Sequence, residues 1–483
     1  MTLTCFRRYL SYRSSPCLVL AALLLSGCTL APSLQPPQQA ELTTPVATSW
    51  TANHLNAQVA ERFMPQLSAL PALEHLVHQG LKANPELIKA QAQLDASLAL
   101  LKQQQAQAWP QISAYFSGRR QDNGLSINDN LQLGIDASWE LDIWGKLEDA
   151  SRAAMLDASQ QLNGLRQQQL TLTARIAKQW FNLLSAQRQF ELIHQRRVNL
   201  QNNLVIIEES YQAGLSNSLD VFLARADVAG AQSSEAAKQD EVAQASRALE
   251  LSLGRYPAGS LRADGELSLN LDSLPAGLPS QILQRRPDIQ GAQDALSAAN
   301  AKISVAYKEK FPSLRLTSSV GTSSPELADL LQADSLLWNL FANLTTPLFN
   351  AGLLEARQQQ QQALALGAAA NLQQVVLNAF AEVESGLTKE MALVEQLDKV
   401  SIAATNSLLA ENLAFEQYQS GLVNYVTVLE AQRRSFDSQT SQIKIRNQRL
   451  QNRIDILLAL GGDPATLISP SAALNIPTDE AIQ

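Results

Sequence analysis

One stretch of this sequence occurs twice, and that duplication limits the fold more than any other feature. Residues 211–232 (YQAGLSNSLDVFLARADVAGAQ) align without gaps to residues 418–439 (YQSGLVNYVTVLEAQRRSFDSQ) at an offset of 207, with eight identities in 22 positions. The same offset carries Leu253, Gly254 and Pro257 onto Leu460, Gly461 and Pro464. Upstream the offset is 202, so Pro85 falls on Pro287, and Trp109 and Pro110 fall on Phe311 and Pro312. Between them, Ile143 and Trp144 pair with Leu348 and Phe349, and Gly145 with Gly352. A unit of roughly 200 residues used twice must fold the same way twice and meet equivalent surroundings. This replaces the expectation of about three unrelated domains that a chain of 483 residues would otherwise set.

Within each unit the hydrophobic period switches. From Leu131 to Ile143 every odd position is apolar, and Gln132, Gly134, Asp136, Ser138, Glu140 and Asp142 lie between them. Such alternation is a strand with one greasy and one polar face, long enough to cross a membrane at a tilt. Its partner is the run after Pro110, reached through the turn dipeptide Asn123-Gly124. In the second unit Leu314, Leu316 and Val320 suggest one strand, and Trp338, Leu340, Ala342, Leu344 and Leu348 the next. A half-buried soluble sheet has the same pattern; the lipid signal described below favours a membrane barrel.

After each hairpin the pattern becomes helical. No proline occurs from 111 to 256 or from 348 to 463, and Ala, Leu and Gln dominate. Leu172, Ile176, Trp180, Leu183, Ala186, Phe190, Ile193, Leu200, Leu204, Ile207 and Tyr211 recur at steps of three, four or seven, with Arg197 in the one polar seat. That period, about 3.5 residues per turn, is close to a coiled coil. A helix from near Lys146 to Ser210 would reach on the order of 100 Å, interrupted on paper only by Asn163-Gly164. Gly214 and Gly421 stand where such helices must stop, in the left-handed conformation that glycine takes most easily. Thr427 and Glu430 have the spacing of a capping box for the return helix.

Composition narrows the function. The formal charge of −8 argues against nucleic acid, and four histidines with three cysteines make a His/Cys-rich metal site hard to assemble. Glu74, His75 and His78 read as solvated side chains near a helix start, and no hydrolase, nucleotide or zinc-protease motif is present. No enzyme and no cofactor is expected. At the N-terminus, Arg7, Arg8 and Arg13 precede the apolar run Leu18 to Leu25, too short to span a bilayer, which ends in Ser26, Gly27 and Cys28. Small residues before a cysteine resemble a bacterial lipobox, which would leave Cys28 acylated at the new N-terminus. An ordinary secretory signal with a chance cysteine is the alternative.

These parts divide the chain into a signal peptide (1–27), a lipid-anchored linker and collar segment (28–70), the first repeat (71–256), a collar segment (257–279), the second repeat (280–463) and a collar tail (464–483). The whole resembles the outer membrane factors, the TolC and OprM type of efflux channel, and within them the lipoprotein branch of NodT-type proteins. The duplicated Tyr-x-x-Gly-Leu tips, Leu141-Asp142-Ile143-Trp144-Gly145 and Arg286-Pro287-Asp288-Ile289 carry the resemblance. It implies a mainly α fold with membrane β. In a homotrimer, each chain would give four strands to a twelve-stranded β-barrel continuous with a helical coiled-coil barrel, girdled by a mixed equatorial collar. The function implied is passive conduction of drugs or other solutes from an inner-membrane transporter and periplasmic adaptor across periplasm and outer membrane. The competing reading is a lipid-anchored periplasmic coiled-coil scaffold without a pore, which has no use for a membrane-length strand.

The same resemblance locates a periplasmic gate at the tips. Asp220 and Arg225 match the acidic and basic positions of the first tip. Tyr418, Val426, Glu430 and Arg433 match the tyrosine, apolar-constriction, acidic and basic positions of the second. Three copies of an acid around a narrow axis would favour cations. A carboxylate in a first helical turn is useful anyway, so Asp220 and Glu430 fit a capping role equally well. Val423 and Thr427 stand where some relatives have arginine and aspartate, so the latch of those relatives is expected to be missing.

Replacing Cys28 with Ser should abolish metabolic lipid labelling and signal removal at that residue. Labelling that persists would overturn the lipobox.

Overall fold

The structure, a computed structural model, describes residues 71–122, 124–265, 267, 279–332, 334 and 336–462. The signal segment, Cys28, the 28–70 linker, Asn123, most of 266–278 and the 464–483 tail lie outside the described residues. The elements run α1 (Pro71–Ala83), α2 (Pro85–Ala106), β1 (Gln111–Asp122), β2 (Ile127–Leu141), α3 (Lys146–Gln212), α4 (Ser218–Ser252), α5 (Pro279–Arg285), α6 (Pro287–Lys308), β3 (Ser313–Ser324), β4 (Leu336–Thr345), α7 (Leu353–Gln419) and α8 (Tyr425–Ala459). Both long helices have 67 residues and both return helices 35, so the duplication reaches element lengths.

Most of the apolar stripe read along α3 is buried, from Leu172 through Ile207. Arg197 occupies its polar seat by pairing with Glu235 of α4 at 2.6 Å, a carboxylate that His194 also meets at 2.6 Å. The break at Asn163-Gly164 does not occur. Asn163 is buried and donates to Asp294 of α6 at 2.9 Å, which removes the polar penalty that would have favoured a turn.

The four strands form one antiparallel sheet in the order β1-β2-β3-β4. The register sets Ile112 opposite Ala137, Ile135 opposite both Ala114 and Val320, Trp139 opposite Leu316, and Val320 opposite Trp338. Opposed residues share a face. One side of the sheet is therefore apolar across all four strands, while the other carries Ser113, Asp136, Ser138, Glu140, Thr317 and Ser319. Strand β4 departs partly, with Leu337 and Phe341 beside Asn339 on the polar side. Strand β2 begins earlier than its alternation suggests, at Ile127 opposite Asp122 of β1, and ends earlier because the Asp142 carboxylate accepts from the Glu148 amide at 2.8 Å and starts α3. Leu348 lies beyond β4, past Pro347, which cannot donate to a ladder. At the sheet-to-helix junction Trp139 and Trp144 donate their indole N–H groups to the Ala108 and Pro312 carbonyls, a belt suited to a membrane boundary.

Helices α2, α3, α6 and α7 pack side by side in that order, and the α3–α4 and α7–α8 hairpins continue away from the sheet. The start of each repeat is tied to the end of its return helix. Asn84 caps α2 by accepting from the Glu86 amide at 2.9 Å and donates to the Ser252 carbonyl at 2.9 Å. At the equivalent place Arg286 donates to the Ala459 carbonyl at 3.0 Å and pairs with Asp288 and Glu382, each at 2.7 Å. Beyond α4, the buried Glu250 carboxylate accepts the Gly259, Ser260 and Leu261 amides and anchors the first part of the 257–279 segment.

A lysine at Ile135, on the apolar face, should destabilise the membrane-inserted sheet by about 2–4 kcal/mol near the bilayer midplane. A lysine at Ser138, on the polar face, should be mild. Heat stability of the assembled oligomer in mild detergent reads the difference, and equal tolerance would contradict a lipid-facing apolar side.

Candidate functional site: the helical tips

Each long helix ends in the same hydrogen-bond pattern. The Gly214 amide donates to the Tyr211 carbonyl at 3.0 Å and Leu215 to Ser210 at 2.8 Å; Gly421 and Leu422 repeat this to Tyr418 and Gln417, both at 2.9 Å. The pattern needs a left-handed residue, and Gly214 and Gly421 have φ of 75° and 71°. Helix α4 is then capped by Asn217, which accepts from the Asp220 amide at 3.0 Å, and α8 by Asn424, which accepts from the Thr427 amide at 3.0 Å. These two asparagines occupy equivalent places in the repeat. Their recurrence is visible in the sequence, although the spacing of Thr427 and Glu430 points to a different cap for α8.

The capping box expected from Thr427 and Glu430 is therefore absent. Asn424 holds the extended conformation of a cap, so the helix begins at Tyr425, and Thr427 already lies inside it with its hydroxyl donating to Asn424 at 2.9 Å. Glu430 is past the first turn. It accepts from Arg433 at 2.8 Å and from Arg434 at 2.9 Å, and these two guanidinium groups hold its carboxyl below the usual carboxylate range. Glu430 thus stays charged in a locally positive group of one acid and two bases.

Asp220 differs. It sits in the first turn of α4, accepts from the Ser216 hydroxyl at 3.0 Å and has no basic partner among the described residues. Arg225 instead pairs with Glu208 across its own hairpin at 2.8 Å. Among the described residues, none of these charged groups forms an ion pair with the other tip. What joins the tips is apolar. Tyr425 is 1% exposed and shares a cluster with Ile207, Val221, Ala224 and Val428. Its ring lies 5.5 Å from that of Tyr418. Burial pushes the Tyr425 phenol far above the ordinary tyrosine value, with the charge of Asp227 adding to the effect. Farther from the tip, Arg196 of α3 stacks over Phe436 of α8 at 4.5 Å. Val426 points away from this core and is 54% exposed, and the apolar side chains of Leu215, Phe222 and Leu422 are more exposed still. Sequence reasoning missed Tyr425 and Arg196, because each is placed by a helix from the other repeat.

Comparison with known proteins gives a consistent family. Residues 76–255 and 278–462 match the model for outer membrane efflux proteins. The chain is 32% identical over 470 residues to the cation efflux system protein CusC of Escherichia coli K12, covering 93% of this chain and 100% of that one. It is 31% identical over 468 residues to the probable efflux pump outer membrane protein TtgC of Pseudomonas putida, covering 92% and 94%. A crystal structure of CusC, described in terms of folding and transmembrane channel formation, superposes with a TM-score of 0.80 at 29% identity over 89% of this chain and 99% of that chain.

Asn424→Ala should weaken the start of α8 by about 1 kcal/mol, read as faster hydrogen exchange of the Thr427 amide. Glu430→Ala should leave that exchange unchanged, whereas in a Thr427–Glu430 box it would strip the Thr427 amide of its acceptor.

Proposed function

The chain belongs to the outer membrane efflux protein family, and we propose that its tips, in three symmetric copies, form the narrow end of the conduit it builds. The protein is an outer membrane efflux channel whose strands cross the membrane and whose helices extend into the periplasm. It works as a homotrimer with a periplasmic adaptor and an inner-membrane transporter, and it conducts passively without chemistry of its own. Cys28 would add a lipid anchor. The observation that carries the reading is the sheet register: four strands with one apolar face and two edges unpaired among the described residues close only with strands from other copies. Exposed leucines along α7, among them Leu364, Leu409 and Leu413, supply apolar surface for the same assembly.

At the constriction the side chains have distinct roles. Val426, exposed on its helix, supplies the apolar ring. Glu430 with Arg433 and Arg434 forms a ring of net positive charge, and Arg225 is neutralised by Glu208. Tyr418 packs on Tyr425, whose own burial among Ile207, Val221 and Ala224 seats the second tip on the first. Asp220, without a basic partner among the described residues, supplies the acid that favours cations. The scaffold alternative gains no support from the register, since a soluble scaffold would expose the whole apolar face.

In planar bilayers Val426→Ala should raise single-channel conductance with oligomer yield unchanged. Asp220→Asn should lower cation preference, and Glu430→Gln should move it further toward anions by leaving Arg433 and Arg434 unpaired. Wild-type conductance in Val426→Ala would place the constriction elsewhere, and a purified wild-type chain that never conducts would return the scaffold.

A further inference from the structure

Below the sheet lies a cavity of about 600 Å³ whose walls come from α2, α3, α6 and α7 together with Glu140 of β2. Its position follows from the packing order. Helices α2 and α7 are the two ends of the layer α2-α3-α6-α7 and are not neighbours in it, yet Gln104 of α2 and Gln361 of α7 both line the same space. Only the concave side of a curved layer lets its two ends face one space. Glu140 lies on the polar side of the sheet, opposite Arg315, so the concave side of the helices continues the polar side of the strands. In a closed assembly that continuous surface is the lumen.

Six charged side chains line this cavity, and they form three pairs. Lys146 meets Glu140 at 2.5 Å, Lys302 meets Asp157 at 2.8 Å, and Arg357 meets Glu309 at 3.2 Å. The Asp157–Lys302 pair joins α3 to α6 and is 41% and 44% exposed, so it adds little to stability. Its electrical effect is larger. Low-dielectric walls focus the field of any unbalanced charge into the duct, and a symmetric assembly multiplies that charge.

We propose that the cavity is a charge-balanced vestibule of the duct and that Asp157 and Lys302 set its ion preference: while paired they cancel, and solutes of either charge pass the junction without discrimination. This rests on the conduit reading above. It adds a second selectivity element, far from the tips, that is held neutral and can be unbalanced from either side.

The test uses full-length protein in planar bilayers under a potassium chloride gradient. Lys302→Gln should raise the potassium-to-chloride permeability ratio roughly twofold, Asp157→Asn should lower it by a similar factor, and the double variant should return to the wild-type value. A pair that only ties two helices predicts no opposed shifts and no restoration. Because the tips could dominate the current, Lys302→Cys is also labelled in intact cells with a charged, membrane-impermeant thiol reagent, which reaches the vestibule through the barrel. A thiol left unlabelled in that variant would refute the lumenal placement. Labelling without any permeability shift would refute the role in selectivity. A wild-type protein with no current at all would defeat the conduit reading instead.

Discussion

Backbone amides and carbonyls cannot be left unpaired in hydrocarbon, and the rest of the structure follows from that constraint. Strands β1 to β4 satisfy one another in register, but the outer edges of β1 and β4 find no partner among the described residues. The apolar face that the register assembles is unfavourable in water, and the open edges are unfavourable in lipid. Both problems have one solution, closure with further copies around an axis. Closure in turn dictates that the polar face of the sheet and the concave face of the helices enclose the path of the solute.

The two repeats share backbone geometry and differ in chemistry. The tie from repeat start to return-helix end is made by a neutral amide at Asn84 and by a guanidinium at Arg286. Between the long and return helices, the first repeat packs Leu183, Val242 and Ser246. At equivalent places the second buries Glu390 against Arg449 and Arg453, at 2.9 and 2.8 Å. A buried ion pair adds little net stability over apolar packing, yet breaking it leaves an unpaired charge that costs about 3–5 kcal/mol. The second hairpin is thereby held in register by a buried charge cluster, and the first by Arg197–Glu235 and Arg225–Glu208, which lie nearer its tip. Duplication supplied the frame, and divergence gave the halves different internal chemistry.

The tips show how far local pattern reaches. Glycine at a helix end, a strand period of two and a helical stripe near 3.5 residues per turn are properties of a few neighbouring residues. Gly214, Gly421, the β2 alternation and the α3 stripe are therefore legible directly. The start of α8 is less so, because Asn424 and Thr427 are both good caps and the pattern does not say which leaves the helix. The Asn163-Gly164 pair reads as a break because the partner of Asn163, Asp294, is 131 residues away.

The sequence by itself determined the doubled unit, the one-faced strands, the long helices and their tight tips, since each depends on periodicity or on the conformational freedom of single residues. The tertiary structure alone decided which charges act. Glu430 is compensated by two arginines while Asp220 is not, Tyr425 is sealed between the repeats, and three opposite-charge pairs meet on one concave wall. Those outcomes depend on which side chains helix packing brings within a few ångströms across long stretches of chain, and Coulomb interactions are set by that distance and by the surrounding dielectric rather than by spacing in sequence.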